Sequence, residues 1–108
     1  MRESQIEKYL VARVKALGGE VRKVQWVGRR GAPDRLVMVP QRGVIFGPHD
    51  EGSPYRGPKH EAATIWVELK APGVEPETHQ LREHARMQAM GQRVVVIDSI
   101  EGVDELLA

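Results

Sequence analysis

One five-residue stretch, Trp66-Val67-Glu68-Leu69-Lys70, constrains this chain more than any other. Branched and aromatic residues favour a pleated strand, and Ala71-Pro72-Gly73 stops it at once. Side chains alternate along a strand, so Glu68 and Lys70 share one face and Val67 and Leu69 take the other. A carboxylate and an ammonium therefore stand side by side at the carboxyl end of a strand whose other face is apolar. An ion pair on a half-solvated strand would satisfy that pattern. A second stretch, Gly31-Ala32-Pro33-Asp34, gives it further meaning, because Asp34 opens another apolar strand, Asp34–Val39. That strand is nearly continuous in apolar residues and belongs inside a sheet.

The remaining segments fit around these two. Ile6, Leu10, Val14 and Leu17 recur at helical spacing over Glu3–Leu17. Ser4 with Glu7 reads as its capping box, and Gly18-Gly19 ends it. Glu7 falls at the edge of the apolar stripe; Glu3 lies on a similar bearing at the frayed end. Glu20–Val27 alternates as an antiparallel strand. Gly43–Gly47 is a candidate short strand, and Pro48–Glu61 reads as a long exposed loop. Glu75–Met90 is the second helix, with Pro76 in its first turn and Gln80, His84, Met87 and Met90 along one side. Arg93–Asp98 reads as a buried strand and Ile100–Leu107 as a terminal helix. The order is a mixed sheet with helices on its faces, an α/β domain spanning 1–108.

Bulk properties narrow the function. With 108 residues, 41% hydrophobic and 29% charged, the chain is an ordinary globular domain with room for one core. It has one Phe, two Trp and two Tyr, so that core is aliphatic. The absence of cysteine excludes disulfides and thiolate metal sites and suits a reducing, cytoplasmic setting. There is neither a signal-peptide core nor a membrane-length apolar run. A net charge of +1 is low for a protein that coats duplex DNA, so DNA contact would come from a local patch. Lys23, Arg29, Arg30 and Arg35 cluster in sequence around Asp34 and form that patch. The four histidines lack ligand spacing and read as loop and surface residues, and the two tryptophans as core or interface.

If the two apolar strands pair antiparallel, Asp34 lies beside Glu68 and Lys70. Two carboxylates with open positions suit Mg²⁺ or Mn²⁺, which favour hard oxygen ligands and retained water. The Leu69 carbonyl could add a third oxygen, and Glu7 one through water. Such a site suits metal-assisted phosphodiester hydrolysis, with Lys70 orienting water and offsetting charge.

At these residues the chain resembles the VRR-NUC nucleases of the PD-(D/E)xK superfamily. The resemblance rests on Gly31-Ala32-Pro33-Asp34, on Val67-Glu68-Leu69-Lys70-Ala71-Pro72-Gly73 and on Gln80. It implies a restriction-endonuclease-like core and a catalytic set of Asp34, Glu68 and Lys70, with Glu7 as the helix acid and Gln80 as the helix glutamine. It further implies a Mg²⁺-dependent homodimer acting on branched DNA such as four-way junctions, in phage or bacterial recombination and repair. The stretch from His49 to His60 departs from the family pattern. Two other functions remain open: a non-catalytic nucleic-acid-binding subunit on the same fold, and a nuclease of flap, duplex or RNA.

Overall fold

A computed structural model describes residues 1–46 and 55–108. Helix α1 spans Glu3–Ala16, strand β1 Glu20–Lys23, β2 Arg35–Val39, β3 Ile45–Phe46, β4 Tyr55–Gly57 and β5 Ala63–Leu69. Helix α2 spans Thr78–Ala89, strand β6 Val94–Ile97 and helix α3 Ile100–Leu107. The main sheet has the order β1-β2-β5-β6. β2 pairs antiparallel with both β1 and β5, while β5 and β6 run parallel. The two apolar strands of the sequence are thus direct neighbours, with Arg35 opposite Val67 and Val39 opposite Ala63.

Alternation sorts the sheet into two faces. Val37, Ile65, Val67, Leu69 and Ile97 point to one side, where α1 supplies Ile6, Leu10 and Val14 and α3 supplies Val103 and Leu107. All ten are buried and form one aliphatic core. A polar clasp at the rim joins the two helices: the Tyr9 hydroxyl donates to Asp104 at 2.6 Å, and Arg13 pairs with the same carboxylate. Helix α2 covers the opposite face beside β6, where the Gln88 amide donates to the Val94 carbonyl at 3.1 Å.

Several boundaries differ from the sequence expectation, each for a local reason. Ser4 is not the cap of α1. Arg2 holds that position, and its backbone N–H donates to Gln5 Oε1 at 2.6 Å. Gly18 does end this helix, in the left-handed conformation (φ +84°) that an L side chain resists. β1 stops at Lys23, not Val27; one last bond runs from the Val24 N–H to the Asp34 carbonyl (2.9 Å) before the chain leaves the sheet. Pro76 lies outside α2, ahead of the cap residue Glu77, whose N–H donates to Gln80 Oε1 at 2.8 Å. Met90, expected on the inward side of this helix, is exposed. β6, expected to be buried, is so at Val94 and Ile97 but lies at the sheet edge. Val96 shares the α2 face but stays 41% exposed, because α2 crosses over Val94 instead.

The short strand near Val44 is real but lies outside the main sheet, paired with β4 in a separate ribbon. The Arg42–His60 bridge sits at the base of that ribbon. Arg42 also reaches the end of α3, donating to the Leu107 carbonyl at 2.6 Å. Of the loop expected over Pro48–Glu61, residues 48–54 lie outside the described residues, including His49.

Candidate active site

The site forms where β2 begins and β5 ends. Continuing the β2–β5 register by one step sets Asp34 opposite Glu68, on the face that α2 covers. Asp34 is half-exposed. Glu68 is only 8% exposed, and its Oε1 has no hydrogen-bond partner. Burial is the largest cause that pushes its carboxyl pKa up, from the ordinary 4.5 to about 7. The charges of Asp34 and Glu3 push the same way, while Lys70 and Arg35 oppose them.

Lys70 follows β5 directly and is half-buried. Its backbone N–H donates to the Ile97 carbonyl at 2.9 Å, which fixes the strand end beneath the ammonium stem. The Trp66 N–H likewise points to the β6 side, to the Arg93 carbonyl at 2.8 Å. Alternation then turns the Leu69 carbonyl toward β2. The next register position there is Pro33, which has no N–H to donate, so the Leu69 carbonyl lacks a ladder partner on that side.

Arg35 points to the opposite face. It is 8% exposed, and its guanidinium spans Glu7 (3.0 and 3.1 Å) and Asp34 (2.9 Å). The Asp34 contact is ionic without hydrogen-bond alignment, which leaves Arg35 Nη1 unsatisfied as a donor. Arg35 was expected on DNA from its sequence neighbourhood; it is instead buried between the two acids. Glu7 is correspondingly held on Arg35. Gln80 is half-buried on the inner side of α2, and its carbonyl oxygen caps that helix.

The loop that delivers Asp34 is braced against α2. Gly31 has φ +86°, and a Cβ there would meet the His79 backbone oxygen at 2.7 Å. Glycine is needed both for the turn and for the close approach. Arg29 pairs with the buried Glu83 at 3.3 Å, and the Trp26 indole N–H donates to the Pro33 carbonyl at 2.8 Å. Arg29 is therefore pinned while still exposed, and Arg30 and Lys23 are exposed as well.

The sequence reading missed His84. It is 5% exposed, and its Nε2 lies 3.4 Å from Glu68 Oε1 without forming a hydrogen bond. Burial holds its pKa below the ordinary 6.5; Glu83 opposes that shift and Lys70 adds to it. The imidazole is therefore neutral above pH 7. The inward helical stripe through Gln80, His84 and Met87 was the signal for this burial. Ligand spacing was the wrong test, because His84 pairs with a residue on a strand and not with another histidine on its helix.

Among the described residues no three His, Cys, Asp or Glu side chains converge as a preformed metal cluster. The donors on offer are two carboxylates, Asp34 and Glu68, and the Leu69 carbonyl. That set suits a hard divalent cation that keeps most of its water. The orphaned, buried Glu68 oxygen fits the same conclusion, since a nearby cation would satisfy it and return its pKa toward the usual carboxylate range.

A mixed sheet that brings acid, acid and lysine to one end defines the chain as a nuclease fold. The comparisons agree. No protein-family model matches the chain. It is 43% identical to the protein named "Putative nuclease p44" of Acyrthosiphon pisum secondary endosymbiont phage 1, over 92% of this chain and 85% of that one. A solved structure described as a VRR_NUC domain is similar with a TM-score of 0.70 and 39% identity, covering 97% of this chain and 92% of that one. The chain belongs to the VRR-NUC nuclease family.

Proposed function

We propose that this nuclease is a divalent-cation-dependent DNA endonuclease that acts on branched DNA, four-way junctions among them. The observation that carries the metal dependence is Glu68: a buried carboxylate with an unpartnered oxygen and a pKa near 7, one register step from a second carboxylate. Asp34, Glu68 and the Leu69 carbonyl would hold Mg²⁺ or Mn²⁺, which supplies an acidified water and offsets phosphoryl charge.

The protein's own groups do the rest. Lys70 orients the attacking water and stabilises the charge that develops on the phosphoryl oxygens. Water oxygen bonds to phosphorus as the bond to the leaving oxygen breaks; the water gives a proton to solvent and the leaving oxygen takes one from solvent, so an alcohol departs. Arg35 keeps Asp34 and Glu7 from repelling each other at the strand start. His84 limits the rotamers open to Glu68. Lys23, Arg29 and Arg30 flank Asp34 as the phosphate-gripping patch. A homodimer with two such sites about a two-fold axis suits a symmetric junction, because each site cuts one strand.

The test is cleavage of a synthetic four-way junction beside matched flap and linear duplex, with Mg²⁺, Mn²⁺ or EDTA, for wild type and Lys70→Ala. Paired metal-dependent nicks on the junction, lost in the variant, are expected. Cutting of flap or duplex alone would remove the junction role. Binding without cleavage under every metal would replace the nuclease by a non-catalytic DNA-binding module.

A further inference from the structure

A cleft of about 650 Å³ opens on the other side of Asp34, lined by Lys23, Gln25, Trp26, Arg29 and Ala32 as well as by Asp34 itself. Its size falls within the roughly 300–1,000 Å³ of ordinary ligand sites. We propose that this cleft seats an unpaired nucleotide of the DNA strand being cut, its base against Trp26 and its phosphate at Lys23. The inference rests on the nuclease reading and adds to it the feature of DNA that the enzyme grips.

The argument starts from Trp26. Its ring packs on Trp66 at 5.1 Å and 48°, and its N–H is committed to the Pro33 carbonyl at 2.8 Å. The indole is thereby immobilised, yet it remains 37% exposed on the cleft. A rigid aromatic that has already spent its one donor offers stacking and not hydrogen-bond readout, so it tolerates any base. Positive charge on the same wall comes from Lys23 at the end of β1 and from Arg29. The Glu83 contact fixes where Arg29 stands and leaves it exposed. An aromatic face, two cations and a shared wall with Asp34 together describe a nucleotide next to the scissile phosphate.

Bases inside a duplex are stacked on both faces and cannot reach such a wall. The ligand is therefore a nucleotide out of the stack, as at a branch point, in a flap or in a single strand. On this account the same loop, Gly28–Asp34, delivers the catalytic acid and checks for an unpaired base.

The test measures binding in EDTA, where cleavage is absent, on branched DNA whose cut site has been mapped. One DNA carries 2-aminopurine in the nucleotide flanking that site, and another carries an abasic residue there. Wild type should change the 2-aminopurine fluorescence and should bind the abasic DNA roughly 10-fold more weakly. Trp26→Ala should bind intact DNA more weakly by a similar factor, Trp26→Phe should largely restore it, and Trp26→Ala should be indifferent to the abasic change. The abasic arm needs no variant to fold. Wild-type binding unaffected by base removal would overturn the proposal while leaving cleavage and the nuclease reading intact. Conversely, no cleavage of any DNA under any metal, together with binding of single-stranded 2-aminopurine oligonucleotide through Trp26, would overturn the nuclease reading and leave the cleft standing. Free dAMP quenching the tryptophans as strongly as the oligonucleotide does would overturn the assignment to a DNA strand.

Discussion

The two faces of the central sheet are built on opposite principles. Under α1 and α3 the sheet meets Ile6, Leu10, Val14, Val103 and Leu107, an aliphatic cluster with the buried Arg35 and its partner Glu7 confined to one end of the same face. Under α2 it meets Glu83, His84 and Met87, with Glu68 buried among them. Both faces come from the same strands by simple alternation. The first is a dry core in which each buried aliphatic side chain contributes about 1.5–3 kcal/mol. The second buries two acids and a histidine, and burial works against the charged forms of Glu68 and His84. Glu68 and His84 face each other with unsatisfied atoms, an arrangement that costs stability unless a ligand completes it. One side of the sheet supplies the stability that the other side uses to keep charge out of water.

This contrast can be broken from either side. The largest effect should come from the polar face. Lys70→Ala and Glu68→Gln should each lower cleavage by about 10³-fold or more while circular dichroism stays native-like. Retention of wild-type rates in both would displace the site. On the dry face, Leu10→Ala should cost about 3 kcal/mol of unfolding free energy, read by urea titration, with no change in metal affinity.

Glu68 gives a pH test with a definite sign. Its folded pKa, about 7, lies above the ordinary 4.5, so the folded protein binds the proton more tightly than the unfolded chain does. That contribution is fully present below pH 4.5, falls as pH rises toward 7 and is gone above it. Glu68→Gln should therefore unfold about 2–3 kcal/mol harder than wild type at pH 8 without metal, with the difference vanishing near pH 4. Added Mg²⁺ should raise the wild-type melting temperature more at pH 8 than at pH 5.5 and leave that of Glu68→Gln nearly unchanged. A melting difference independent of pH would show that Glu68 does not titrate across this range. The smallest effect belongs to Gln80. Gln80→Ala should cost about 1 kcal/mol through the lost cap of α2; cleavage reduced beyond that loss would give Gln80 a second role at the site.

Much of this architecture was legible in the chain. The stripe Ile6–Leu10–Val14 named α1 and its buried side. The apolar runs at Asp34–Val39 and Ala63–Lys70 named the two inner strands, and their antiparallel pairing was enough to bring Asp34 to Glu68. What eluded the sequence was the fate of charged residues. Arg35 looked like a DNA contact and is buried between Glu7 and Asp34. His84 looked like a surface residue and is buried against Glu68. The default for an ionisable residue is exposure, and only a partner on another element overrides it. The cap of α1 failed similarly, since Gln5 competed with Glu7 for the role that spacing assigned to Ser4 and Glu7.

Periodicity and turn chemistry determine which segments become strands and helices, because those preferences act within a few residues. The sequence by itself therefore settled the α/β order and the inner strands, and with them that Asp34 and Glu68 lie side by side. Tertiary structure alone decided that Leu69 faces a proline with no N–H to give, that Glu68 is desolvated under α2, and that Glu7 is held on Arg35. Desolvation and Coulomb interaction depend on distances between elements far apart in the chain, and no local pattern encodes them.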